Sequence, residues 1–286
     1  MAVAIGEVLR ERWGLEVERV DALSGAMNSR AWLVGAGGAQ VVVKSVAAGD
    51  RSFAAGLELA SRLAAAGLVT GAPVPSLAGR LVEEADDRQV ALLQYVDGGG
   101  LTQDPEDQLA IGTTLARVHG ISRTAPGDLE KWFELVTQFD VYLDVEPWIR
   151  PAVEDALNGV REFASAQDLT WAGLHGDPAP EAFLRQHDGE IALIDWGSFM
   201  NGPVLYDVAS AVMYVGQDEH VVAAYLAGLP ELSPEIRSGL PAFLGFRHAV
   251  QAAYFAWRLA TDVQTGLTTE DGNHKGLADA RHWFGL

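Results

Sequence analysis

The stretch Leu174–Gly197, LHGDPAPEAFLRQHDGEIALIDWG, sets two aspartates eighteen positions apart, each beside an apolar run. Asp177 follows His175-Gly176 in a tight turn and precedes Pro178. A carboxylate at such a loop position is suited to act as a general base. Asp195 follows the buried-strand pattern IALI and precedes Trp196-Gly197. That pattern puts a carboxylate at the mouth of a strand, where a metal can bind. Between them, RQHDGEI reads as a hairpin. One aspartate in a turn is ordinary turn chemistry. Two joined in this way point to a nucleotide and metal site.

Outward from this stretch the chain changes character once. Residues 3 to 13 read as a short amphipathic helix. Val17 to Val43 then form a meander of three short strands, with Gly35, Gly37 and Gly38 marking a hairpin turn and Lys44 closing the third strand. RSFAAGLELASRLAAAGL is helical, with Leu57, Ala60, Leu63 and Ala64 on one face, and Gly67 ends it. RLVEEADDRQVALLQYV supplies two further strands around a charged turn. Residues 1–97 are thus expected to form a small lobe, a five-stranded antiparallel sheet with one inserted helix. DGGGLTQD reads as a hinge. Residues 98–286 are expected to form a larger, mainly helical lobe, with a long helix over 244–261. The fold class is α+β and bilobal, and a cleft between two lobes is a natural ligand site.

Bulk properties narrow the function. The chain has 286 residues, 49% of them hydrophobic, and a net charge of −19. That balance argues against a nucleic-acid partner, which calls for a basic face. The absence of cysteine removes disulfides, thiolate zinc sites and Cys nucleophiles. No uncharged run reaches membrane-spanning length, and charges come too early for a signal peptide, so no membrane partner and a cytoplasmic location are expected.

Moving a γ-phosphoryl group requires cations and backbone donors around the phosphates, a metal held by carboxylates, and a base for the acceptor hydroxyl. Lys44, at a strand end, is the candidate for the α- and β-phosphate oxygens, and Glu58 on the next helix the candidate to hold its ammonium. The LSGAMNS turn, with Gly25 and Asn28, offers close backbone approach to phosphates.

With these residues in place, the chain resembles the aminoglycoside phosphotransferase and choline kinase family, relatives of protein kinases. The resemblance runs from about residue 17 to the C-terminus. It rests on LHGDPAP and on IALIDWGSFMNGPVLYDVASAV, which supplies Gly202-Pro203 and Asp207. It implies a protein-kinase-like fold and use of ATP and Mg2+. It implies that Asp177 is the catalytic base, Asp195 a metal ligand, and Lys44 and Glu58 the phosphate-positioning pair. Backbone groups of Gln94 and Val96, in the LLQYVDG hinge, would bind adenine. His175 and Asp207 would support the catalytic loop. The family pattern places Asn five residues after the catalytic Asp, where this chain has Ala182. Three readings follow: Glu181 turns inward as the replacement ligand, one metal at Asp195 suffices, or phosphotransfer is lost and the chain is a pseudokinase-like binding module.

The acceptor is less legible. Glu134, Asp140, Asp144 and Glu146 lie among aromatics, and Asp218 and Glu219 follow later. Acidic and aromatic groups together suit an amine-bearing small molecule. A peptide Ser or Thr, as in natural-product peptide maturation, is the alternative acceptor.

Overall fold

The computed structural model describes residues 2–23, 29–216, 219–266 and 271–286, with side chains from residue 5 onward. Two units divide the chain. One is Met1–Leu101 with Glu181–Met200, the other Thr102–Pro180 with Asn201–Leu286.

The first unit opens with α1 (Ala2–Trp13), β1 (Val17–Leu23), β2 (Arg30–Ala36) and β3 (Ala39–Ala47). Helix α2 (Arg51–Ala65) is inserted before β4 (Glu83–Ala85) and β5 (Arg88–Gln94). The five strands form an antiparallel sheet in the order β1-β2-β3-β5-β4. Alternation assigns its two faces. Val34, Val43, Val90 and Leu92 pack with Leu9 and Trp13 of α1. Val46 and Ala91, of opposite parity, pack with Phe53 and Leu57 of α2. Asp50 caps α2 by accepting from the Ser52 and Phe53 N–H groups.

The boundary differs from the expected 97/98 division. Strand β6 (Gly99–Gly100) pairs with a later strand, β8 (Phe183–Arg185), which pairs with β9 (Ile191–Leu193). Val69 also bridges to Ala192. The hairpin that follows the Asp177 turn therefore belongs to the sheet-bearing unit, although it is embedded in the helical half of the sequence.

The second unit holds α3 (Pro105–Ile121), the single turns α4 (Leu129–Trp132) and α5 (Glu134–Thr137), α6 (Ile149–Ala166), α7 (Val204–Val215), α8 (Glu219–Gly228), α9 (Ser233–Ala260) and α10 (Gly272–Trp283). In it β7 (Trp171–Leu174) lies beside β10 (Met200–Pro203). An aromatic cluster of Trp132, Tyr206, Phe243 and Phe246 fills its middle, with ring centroids 4.8–6.2 Å from that of Trp132. Helix α9 is longer than the expected 244–261. Pro234 sits in its first turn, where no N–H is needed, and Pro241 is accommodated inside it. Among the described residues no helix is long and apolar enough to cross a membrane.

Candidate active site

In the first unit, Lys44 lies on the α2 face of the sheet. Its cross-strand neighbours are Ala31 and Ala91, whose small side chains leave room for the lysine stem. The side chain is 9% exposed, and its ammonium is ion-paired with Asp195 Oδ1. The Asp195 carboxylate is 55% exposed. Its backbone is left-handed, at φ 67° and ψ 60°, a region uncommon for residues other than glycine but tolerated by Asp. The Trp196–Ser198 turn that follows rests on α2. Ser52 Oγ donates to the Gly197 carbonyl at 3.0 Å. A Cβ at Gly56 would stand 2.0 Å from the Trp196 carbonyl oxygen, so only glycine admits this approach.

The expected Lys44–Glu58 pair is not formed. Glu58 is exposed, on the helix stripe that also carries Arg51 and Arg62. The face of α2 toward the sheet is made by Phe53, Leu57, Ala60 and Leu63. The helical period therefore turns Glu58 to solvent, and Asp195 takes the role of ammonium partner. Gly25 and Asn28 lie outside the described residues. Gln94 and Val96 are at the end of β5 and just beyond it. The Gln94 N–H already donates to Ala72 O at 2.9 Å, which leaves the Gln94 carbonyl and the Val96 N–H as the candidate adenine contacts.

Ala182 is 7% exposed and ends a single 3-10 turn, Pro180–Ala182. Its carbonyl accepts from the Ile194 N–H at 2.9 Å, which extends the Phe183–Leu193 ladder by one rung. Glu181 and Asp195 each stand one residue beyond that rung, and the Glu181 side chain is exposed rather than turned inward. Among the described residues no three His, Cys, Asp or Glu side chains cluster as a metal cage. An exposed carboxylate fits Mg2+, which keeps its waters and binds through one or two carboxylates plus nucleotide phosphates.

In the second unit, Asp177 follows β7. The loop before it is fastened from below by Asp207, which is fully buried on α7. Asp207 accepts from the His175 N–H at 2.7 Å, the Gly176 N–H at 2.9 Å and His119 Nε2 at 3.1 Å. Because a carboxylate only accepts, His119 carries its proton on Nε2, and its Nδ1 faces the Tyr225 hydroxyl at 2.9 Å. The Gly176 φ of 87° turns the chain into Asp177. The Asp177 carboxylate is 47% exposed. Its Oδ1 accepts from the Tyr214 hydroxyl and from Arg247 Nη2, the latter at 3.2 Å.

His119, Tyr214 and Arg247 carry no local signal in the sequence that marks them for this site. Arg258, farther along α9, is a brace. It is fully buried and donates to Asn273, Tyr254 and the carbonyls of Val263 and Thr265. The acidic residues that suggested an amine acceptor are largely engaged. Arg150 bridges Asp140 and Asp144 at 2.7 and 2.8 Å, and Glu146 accepts from Trp148 Nε1 at 2.6 Å. Glu134 and Glu219 are exposed, and Asp218 lies outside the described residues.

The antiparallel sheet with its inserted helix, and the helical second unit, define the protein-kinase-like fold of the phosphotransferases. The chain belongs to the phosphotransferase enzyme family, whose model matches residues 19–238. Solved structures extend the likeness to almost the whole chain. An amicoumacin kinase in complex with AMP-PNP and Ca2+ is 17% identical, with a TM-score of 0.74 over 98% of this chain and 91% of that one. The choline kinase of Streptococcus pneumoniae is 16% identical, with a TM-score of 0.71 over 99% and 98%. An aminoglycoside phosphotransferase is represented by two thermostable variants bound to hygromycin B. Its asparagine-to-alanine variant, with AMP-PNP, is 20% identical, with a TM-score of 0.63 over 99% of both chains. Its aspartate-to-alanine variant, with ADP, is 18% identical, with a TM-score of 0.64 over 97% and 98%. Among curated proteins no sequence matches the chain.

Proposed function

We propose that the chain transfers the γ-phosphoryl group of Mg-ATP to a hydroxyl of a small molecule. The observation that carries this reading is the Lys44–Asp195 pair, a buried ammonium held against an exposed carboxylate on a left-handed turn. Lys44 would meet phosphate oxygens, and the Gln94 carbonyl and Val96 N–H would receive adenine. Asp195 would hold Mg2+, with Glu181 as the second carboxylate at the same end of the hairpin. The ion, when bound, neutralises charge on the phosphates. At Asp177 the acceptor O–H proton passes to the carboxylate. As it does, the acceptor oxygen bonds to the γ-phosphorus, the bond to the β-phosphate oxygen breaks, and ADP departs.

Ala182 is compatible with this reading. The two aminoglycoside phosphotransferase variants alter an aspartate and an asparagine five positions apart, the spacing of Asp177 and Ala182. The variant with alanine for that asparagine still holds AMP-PNP and hygromycin B. A side-chain amide at that position is therefore dispensable for forming such a complex. The engaged Asp140, Asp144 and Glu146 remove most of the support for an amine on the acceptor, so a hydroxyl-bearing small molecule of unspecified charge is the reading kept.

Thermal denaturation with ATP, with and without Mg2+, tests the proposal. Ligand at 100 times its Kd stabilises the folded state by about 2.7 kcal/mol. A Mg2+-dependent rise is expected in the native chain and in Asp177→Asn, and none in Asp195→Ala. No rise in the native chain at millimolar Mg-ATP overturns the reading in favour of a binding module.

A further inference from the structure

The Asp177 carboxylate is half exposed, yet it is met by a buried guanidinium, that of Arg247, and by the hydroxyl of the half-buried Tyr214. Arg247, on α9, is 8% exposed. Its Nε donates to Ser210 Oγ at 3.1 Å, and its Nη2 reaches both the Tyr214 hydroxyl, at 3.0 Å, and Asp177 Oδ1, at 3.2 Å. The guanidinium lies 5.5 Å from the centre of the Tyr214 ring. Tyr214 is fixed at its other end as well, because its carbonyl accepts from Gln103 Nε2 at 2.9 Å. Burial, followed by the neighbouring Asp177 charge, pushes the phenol well above its usual range against the opposing effect of Arg247. The hydroxyl therefore keeps its proton and donates.

A carboxylate oxygen has two lone-pair positions. On Asp177 Oδ1 both are filled, one by Tyr214 and one by Arg247. With two donors fixed on one oxygen, rotation about the Cβ–Cγ bond would break both hydrogen bonds together. Among the described residues every hydrogen bond to this carboxylate falls on Oδ1, so the second oxygen has one defined direction. We propose that Tyr214 and Arg247 are positioning residues that lock Asp177 through Oδ1 and reserve Oδ2 to take the proton of the acceptor hydroxyl. The part played by Oδ2 rests on the phosphotransferase reading, whereas the locking of the carboxylate stands without it.

A bland alternative exists, in which Asp177 merely neutralises a buried arginine. The two are separated by a single hydroxyl. Tyr214→Phe keeps the ring, the Arg247–Asp177 contact and the charge balance, and removes one donor from Oδ1. Hydrolysis of Mg-ATP, with water as the acceptor, supplies the kinetic readout. Tyr214→Phe is expected to lower kcat about 10-fold or more, within the range of general base contributions, with KM for ATP unchanged. Arg247→Met is expected to lower it further, and Arg247→Lys to recover part of the loss. Wild-type kcat in both Tyr214→Phe and Arg247→Met, beside an inactive Asp177→Asn, overturns the proposal. A crystal structure of Tyr214→Phe gives a readout independent of turnover. The carboxylate is expected to rotate or to occupy more than one orientation. An Asp177 side chain superposing on that of the parent protein overturns the locking whatever the ATP result. Loss of the Mg-ATP thermal shift in the parent protein counts against the phosphotransferase reading alone.

Discussion

The turn at Asp177 is fastened by side chains reaching in from α7 and α9. Asp207 holds the two N–H groups before it, and Tyr214 and Arg247 hold the carboxylate itself. The turn at Asp195 is shaped mainly by backbone. Its residue is left-handed, its neighbours' carbonyls face α2, and a missing side chain at Gly56 allows the approach. Its carboxylate holds the Lys44 ammonium. Two aspartates in one short stretch are thus fixed by different means. Side chains fix the direction of an oxygen, as abstraction of a proton demands. A backbone turn fixes the place of a carboxylate and leaves it open to solvent, as suits an ion that arrives with its own ligands.

The contrast can be broken most forcefully at Asp207. Asp207→Ala leaves three buried donors without an acceptor, and removing one member of a buried polar network costs about 3–5 kcal/mol. The melting temperature should fall by roughly 10 °C, as calorimetry would show, and a fall of only a degree or two would mean that the clamp is incidental. On the backbone side, Gly56→Ala should cost about 1–3 kcal/mol by overpacking against Trp196. Gly159→Ala, on α6 with open space around its Cβ, should gain up to about 1 kcal/mol instead. Equal effects at the two glycines, measured by urea denaturation, would dispose of the close-approach argument. Asp195→Asn keeps the left-handed turn and an acceptor for Lys44. Its stability should change by about 1 kcal/mol or less, while the Mg2+-dependent shift with ATP disappears.

A separate effect concerns pH. His248, beside Arg247 on α9, is held neutral in the folded state. Burial first, and then the Arg247 charge, push its pKa down to about 4 from a usual 6.5. Between these values the unfolded chain binds a proton that the folded chain does not. Stability is therefore complete above about pH 6.5 and is lost as pH falls toward 4. Melting curves of the native chain and of His248→Phe, recorded between pH 7 and 4, should diverge in slope, with the variant flatter. Parallel slopes would place the acid sensitivity elsewhere.

Much of this is legible in the sequence alone. The strands of the sheet carry β-branched runs bounded by glycine turns, and LHGD and IDWG mark their own turns by composition. Lys44 stood out as a charge in an apolar strand, although the strand does not end there and runs on to Ala47. What escaped depends on direction or on distance along the chain. Glu58 lies at a plausible position after Lys44, but the apolar face already read from Leu57, Ala60 and Leu63 is the buried one and turns Glu58 to solvent. Tyr214 and Arg247 lie 37 and 70 positions from Asp177, and nothing local distinguishes them from core and surface residues. Arg150 sits six positions after Asp144, close enough to have been weighed as its partner, yet acidic residues among aromatics suggested a ligand first. Helix α9 starts at Ser233, ahead of the expected 244, because tertiary packing carries it through Gly239 and Pro241.

The route of the chain between its two units has a consequence for descent. The hairpin from Glu181 to Met200 returns to the first unit, so the chain changes units after residues 101, 180 and 200. A recombination event with a single crossover cannot exchange one unit intact. It would pair a hairpin from one parent with a sheet from the other. Three junctions are needed, and the one after Pro180 falls between the two aspartates. Although only eighteen positions apart, Asp177 and Asp195 are thus separable items of inheritance, each travelling with the unit in which it is built.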